Sequence, residues 1–275
     1  CALFAAISGS SAATVATVGK MSIPELRKRK YPEKILLGSL AGSGTLGLLI
    51  PPSIILIIYG VAVQESIAKL FIAGIIPGIM IALIFMSYVI IWSLINKKTM
   101  PKSSEEYSFI EKIKRSKQLL PVIILIVAVI GSIYTGIATA TEAASLGVLG
   151  ALILSYFQKS LTVETFKSSL MGATKTSCMI AFILAGSTFL SLAMGFTGLP
   201  RNLALWIQNM ELSPYVLIFV LMIFYIILGM FLDGISAVVL TMAIIEPMIR
   251  QAGFDMIWFG IFLVIVVEMA QITPP

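Results

Sequence analysis

The chain has 275 residues, of which 59% are hydrophobic and 12% charged. That is far below the roughly 25% charge of soluble domains, and apolar runs recur from end to end, so the chain reads as a polytopic membrane protein. A net charge of +6 does not point to nucleic acid, because Lys and Arg concentrate in two short loops, and the lack of His removes the commonest general base and metal ligand.

Residues 1–19 are apolar and meet "KMSIPELRKRKYPEK" (20–34), read as a loop with six Lys/Arg against two Glu. A long span over 35–63 is interrupted by Pro51 and Pro52. Proline removes a backbone donor and clashes with the preceding turn, so two together break a helix. In hydrocarbon a broken helix survives only against protein or a water-filled cavity. The turn "QESIAK" (64–69) and a span over 70–95 follow. A second basic loop, 96–118, holds seven Lys/Arg against three Glu. Further spans fall near 119–136, 141–157, 171–196, 215–232, 237–249 and 257–272, with polar breaks at "LDGIS" (232–236) and "RQAGFD" (250–255). Cys1 and Cys178 lie in apolar surroundings and make neither a disulfide framework nor a metal spacing. Both ends fall inside apolar stretches, which reads as an internal fragment of a longer protein.

The basic loops should face the cytoplasm. Span parity then puts 64–69, 197–213 and 250–256 outside. Residues 215–249 become a re-entrant hairpin with its tip at "LDGIS", and 1–19 the tip and return arm of another, with its tip at "SGSS" (8–11). At an offset of 223 residues Ser10 falls on Asp233, Ser11 on Gly234, Pro24 on Pro247, Pro51 on Pro274 and Pro52 on Pro275. The repeat is inverted by loop charge, as in many secondary transporters. The expected fold is thus all-α: an inverted repeat with two re-entrant hairpins and two broken helices, residues 1–69 and 197–275 carrying the two repeats and 70–196 the helices between them.

Carbonyls ahead of each proline pair lose their helical donor and are available to ligate a hard cation. Hydroxyls and Gly in "SGSSAAT" suit the same ion, or simply close helix packing. Asp233 is an intramembrane carboxylate, hence a functional candidate, and equally a helix cap. Glu142 reads as structural at a helix N-terminus, and Glu246 and Glu268 as structural or interfacial.

Four stretches, "SGSSAATVATVG", "GTLGLLIPPSIILIIYGVAVQESIAKLFIAGIIPG", "GIATATEAASLGVLGALI" and "LGMFLDGISAVVLTMAIIEP", together resemble the large membrane (M) subunit of tripartite ATP-independent periplasmic (TRAP) transporters, over essentially the whole chain. The resemblance implies an ion-transporter fold and a sodium-driven symporter of small organic anions, such as C4-dicarboxylates, sialic acids or other sugar acids, in the bacterial inner membrane, with a transport domain (1–69 and 197–275) moving as an elevator against a scaffold with connecting helices (70–196). It implies a small membrane (Q) subunit and a periplasmic binding protein (P) as partners, sodium as coupling ion and sole metal, and no organic cofactor. Carried onto this sequence, one sodium site takes Ser10, Ser11, Gly47, Ile50, Pro51 and Pro52, and the other Asp233, Gly234 and Thr273. Substrate lies between the tips, at Ser8, Gly9, Ser10, Ser236 and Pro274. Neither tip carries a basic residue, so the anion must be met by helix N-termini, sodium or another residue. The alternatives are a sodium/dicarboxylate symporter working without a binding protein, an intramembrane serine protease prompted by "GSG" (42–44), and a passive channel. The protease lacks a histidine base, and the channel lacks polar spans to line a pore.

Overall fold

The computed structural model describes residues 11–97, 99–101, 120–198 and 213–273, with Phe4, Gly9, Asn202 and Leu205. Its elements are α1 (Ser11–Lys28), α2 (Glu33–Thr45), a 3-10 turn (Leu46–Leu48), α3 (Ile54–Ala62), α4 (Ile67–Ile95), α5 (Leu120–Tyr134), α6 (Ala140–Phe157), α7 (Val163–Thr197), α8 (Pro214–Gly229), α9 (Gly234–Gln251) and α10 (Met256–Ile272). Helices α4, α6, α7 and α9 are long and apolar enough to cross a membrane, and α5, α8 and α10 are shorter apolar helices. The all-helical, multi-pass expectation holds among the described residues.

Helix starts follow local chemistry. Ser53, Ser66, Thr139, Ser213, Asp233 and Asp255 are N-caps whose side chains accept from backbone amides of the first turn. Such a cap is worth about 0.5–2 kcal/mol in water, and an unpaired amide in hydrocarbon costs more. Glu142 closes a capping box: the Thr139 amide donates to its carboxylate at 2.8 Å and its own amide donates to Thr139 Oγ1 at 3.3 Å. That agrees with its structural reading.

The 20–34 loop needs correction. Helix α1 runs on to Lys28 with Pro24 inside it, leaving only a short turn before α2. Lys, Arg and Glu are good helix formers, and ion pairs hold the end: Arg29 Nε to Glu25 at 3.0 Å and Arg27 Nε to Glu33 at 2.9 Å. Similarly, α7 starts at Val163 and α4 at Ile67, earlier than apolarity alone indicates.

Two compact units form, one from Cys1–Thr99 with Ala181–Pro275, the other from Met100–Ile180. In the smaller unit α5 packs on α6, with Gly147 against Val129 and Gly150 against Leu125. In the larger, α10 is the central helix, touching α2, α3, α4, α8 and α9. Tyr59, Tyr225 and Phe259 are fully buried there. Tyr59 donates to the Met256 carbonyl at 2.6 Å, and Gly260 makes room for its ring. Helix α4 packs on α2, α3 and α10, while Ile76, Met80, Leu83 and Ile84 of its outer face are exposed, as a lipid-facing surface requires.

The sequence repeat has a structural counterpart. Helices α1 and α9 each have 18 residues, and a shift of 223 maps Ser11 onto Gly234 and Lys28 onto Gln251. Pro24 and Pro247 then occupy the same place within them. The same shift maps Glu33, the start of α2, onto Met256, the start of α10. The turns after α3 and before α10 also meet. Arg250 Nη2 donates to the Val63 carbonyl at 3.1 Å and lies 3.7 Å from Glu65, while Arg250 Nε pairs with Glu246 at 2.9 Å. Loop charge had put both turns on one face.

Candidate functional site

The interruption at Pro51–Pro52 is real. After α2 the chain tightens into the 3-10 turn, unwinds over 49–53 and restarts as α3 under the Ser53 cap. Pro51 has no amide to offer the Gly47 carbonyl, and Pro52 none for Leu48. Ser53 Oγ donates to the Leu48 carbonyl instead, while among the described residues no donor replaces the helical one at the Gly47 carbonyl. Leu46, Gly47, Leu48, Leu49, Pro51 and Ser53 are buried. The backbone here is therefore irregular inside packed protein, the condition under which such backbone is tolerated at membrane depth.

Helix α4 makes room for it. Gly74 and Gly78 lie four apart on one face, and a Cβ on Gly74 would sit 3.0 Å from the Leu49 carbonyl, one on Gly78 2.9 Å from the Ile50 side chain. A small-xxx-small pair admits a second backbone closely. "GIIPG" (74–78) carried that signal in the sequence, and the sequence reading passed over it.

The start of α1 reaches this segment, and the start of α9 lies close by. Gly9 has φ +59°, a conformation that favours glycine, and a Cβ there would lie 3.2 Å from the Pro52 carbonyl. Ser11, at the start of α1, donates to Gln271 Oε1 at 3.4 Å. Gly234, at the start of α9, is buried against Val267, Gln271 and Ile55, where a Cβ would stand about 3 Å from each. Gln271 therefore touches the start of α1 and lies against the start of α9, a bridging role that sequence reasoning missed.

Of the residues singled out in the sequence, Gly9 and Pro52 are neighbours. Ser11 and Gly234 meet at Gln271. Gly47, Ile50 and Pro51 belong to the same unwound stretch. Asp233 Oδ2 accepts from the amides of Ile235 at 3.1 Å and Ser236 at 3.2 Å, and the Ser236 hydroxyl donates to Oδ1, so this carboxylate caps α9. Thr273 ends α10 in extended conformation with its hydroxyl on the Met269 carbonyl at 2.8 Å. Ser8, Ser10, Pro274 and Pro275 lie outside the described residues. The serine of "GSG", Ser43, spends its hydroxyl on the Ser39 carbonyl.

The family model described as "Tripartite ATP-independent periplasmic transporter, DctM component" matches residues 1–275. The chain belongs to this TRAP transporter family. It is 34% identical over 276 residues to the C4-dicarboxylate TRAP transporter large permease protein DctM of Pseudomonas aeruginosa, covering 100% of this chain and 64% of the relative. It is 32% identical over 280 residues to the sialic acid TRAP transporter large permease protein SiaM of Vibrio cholerae, covering 99% and 64%. Against the isethionate TRAP transporter permease protein DctMQ of Oleidesulfovibrio alaskensis it is 31% identical over 277 residues, covering 100% and 43%. The chain thus spans just under two thirds of the DctM and SiaM relatives. The TRAP family is a transporter component, which sets aside the protease reading.

Proposed function

We propose that the TRAP permease containing this chain is a sodium-coupled symporter that imports a small organic anion handed over by a periplasmic binding protein. A small membrane subunit completes the scaffold, and the transport unit moves as an elevator in the bacterial cytoplasmic membrane. The observation that supports the reading is that Gly9 meets the unwound segment at Pro52, while Ser11 and Gly234, at the starts of α1 and α9, meet at Gln271 in the last turn of α10. Helices α1 and α9 both begin there, so two positive helix ends face one place, where no basic side chain is needed to attract an anion. The Gly47 carbonyl and its neighbours supply hard oxygen for sodium. Relatives named for C4-dicarboxylate and sialic acid support carboxylate substrates.

The deciding experiment is uptake by the full-length permease in proteoliposomes, with sodium gradient and purified binding protein each present or absent, and succinate and sialic acid as test anions. Uptake that needs both is expected. Uptake with sodium alone removes the binding protein from the scheme, and sodium-independent uptake removes symport. Ser10→Ala and Asp233→Asn, which keeps a cap acceptor, are expected to raise the sodium concentration for half-maximal uptake. Unchanged values in both variants reject the site assignment.

A further inference from the structure

Between α2 and α4 lies an apolar groove of about 780 Å³ that the transport scheme does not use. That volume is in the range of small-molecule sites. The two helices run antiparallel here, with Gly42 against Phe85 and Ile50 against Gly78. One wall follows α2 from Lys34 to Leu46, and the other follows α4 from Ala82 to Ile90. The α2 wall is about 18 Å long at the helical rise, close to one leaflet's half of the roughly 30 Å hydrocarbon core.

The groove is opened by a missing side chain. A Cβ on Gly38 would meet nothing within 4 Å. The wall on either side of it is closed to hydrogen bonding by donors already spent: Ser39 Oγ donates to the Leu36 carbonyl at 3.1 Å, and Ser43 Oγ to the Ser39 carbonyl at 2.5 Å. Leu46 is buried at the deep end, while Met86, Tyr88 and Ile90 on the α4 wall are more than half exposed.

The other end is cationic. Lys34 is exposed in the first turn of α2. Its neighbour Glu33 is taken by Arg27 at 2.9 Å, and Glu25 by Arg29 at 3.0 Å. Lys28, Lys30 and Lys34 have no carboxylate partner among the described residues. Loop charge puts this turn on the cytoplasmic side, where the membrane surface is negative and basic pockets between spanning helices take anionic headgroups.

Size decides between occupants. Spread over that length, 780 Å³ gives a slot about 7 Å across. A helix with its side chains is about 10–12 Å across, too wide to enter, whereas an extended hydrocarbon chain enters lengthwise. We propose that the groove between α2 and α4 is a binding site for an anionic phospholipid, with an acyl chain along Gly38 and Phe85 and the headgroup at Lys34.

The test uses the full-length permease in vesicles of phosphatidylglycerol and phosphatidylcholine. Photoreactive benzoylphenylalanine replaces Met86, in the groove, or Met80, on the exposed outer face of α4, and the adducts are identified by mass spectrometry. From position 86 phosphatidylglycerol is expected to be labelled about fivefold over phosphatidylcholine, the scale of one lysine near an anionic surface. From position 80 no preference is expected. Lys34→Gln is expected to abolish the preference and Lys34→Arg to keep it. Gly38→Phe, which fills the slot, is expected to lower labelling of both lipids from position 86. If Gly38→Phe does not fold, the two Lys34 variants decide. Equal labelling of the two lipids from position 86, or a preference that survives Lys34→Gln, overturns the site and leaves ordinary lipid-facing surface. Cross-linking of position 86 to another segment of the permease, or to the small membrane subunit, in place of lipid also overturns it.

Discussion

Gln271 meets Ser11 through Oε1 while its Nε2 lies beside the Gly234 backbone, so one amide serves both repeats. Replacing it with leucine of similar bulk removes the polar bridge and little packing. Gln271→Leu is expected to cost about 1 kcal/mol of stability yet depress uptake strongly, measured as melting temperature and initial rate on the same sample. A large melting loss with proportionate activity loss makes Gln271 merely structural. Residues such as Asp233 and Glu142 were legible in the sequence because a cap is local: the acceptor and its amides lie within three residues. Gln271 and Tyr59 were not, because their partners are distant in sequence; Ser11 and Gln271 are 260 residues apart, Tyr59 and Met256 197.

Among elements, the broken helix depends on its neighbours more than on itself. The prolines forbid a regular helix, which the sequence states openly, but the room for irregular backbone comes from α4 and α10. Gly74→Val puts a branched side chain against the Leu49 carbonyl and is expected to destabilise by about 1–3 kcal/mol. Gly38→Ala, on α2 where a Cβ meets nothing within 4 Å, is the matched control. Equal melting temperatures for the two variants reject the notch. Tyr59→Phe is expected to lower the melting temperature by about 2–4 °C, the loss of one net hydrogen bond of about 1 kcal/mol. Helix ends were less legible than helix centres. Hydropathy marks the part of a helix inside lipid, whereas α1 continues through Lys20, Arg27 and Lys28, whose side chains favour helix as readily as water.

For the whole molecule, orientation is the property most exposed to test. In a background with Cys1 and Cys178 replaced by serine, single cysteines at Gln64 and Ala252 are expected to react with an impermeant reagent added outside the cell. Cysteines at Arg29 and Lys97 are expected to react only after permeabilisation. Labelling of all four from one side rejects the inverted topology. The 223-residue shift was readable because it recurs at several positions of the sequence at once, and the bounds of α1 and α9 keep it. The Arg250 contacts also have a practical use. With guanidinium, Val63 carbonyl and Glu65 joined, the turns after α3 and before α10 are tied together at one point. On the elevator scheme proposed above, spin labels at Val61 and Gln251 would serve as an internal ruler, expected to hold one separation through turnover, so that changes between other labelled pairs measure displacement against a fixed length.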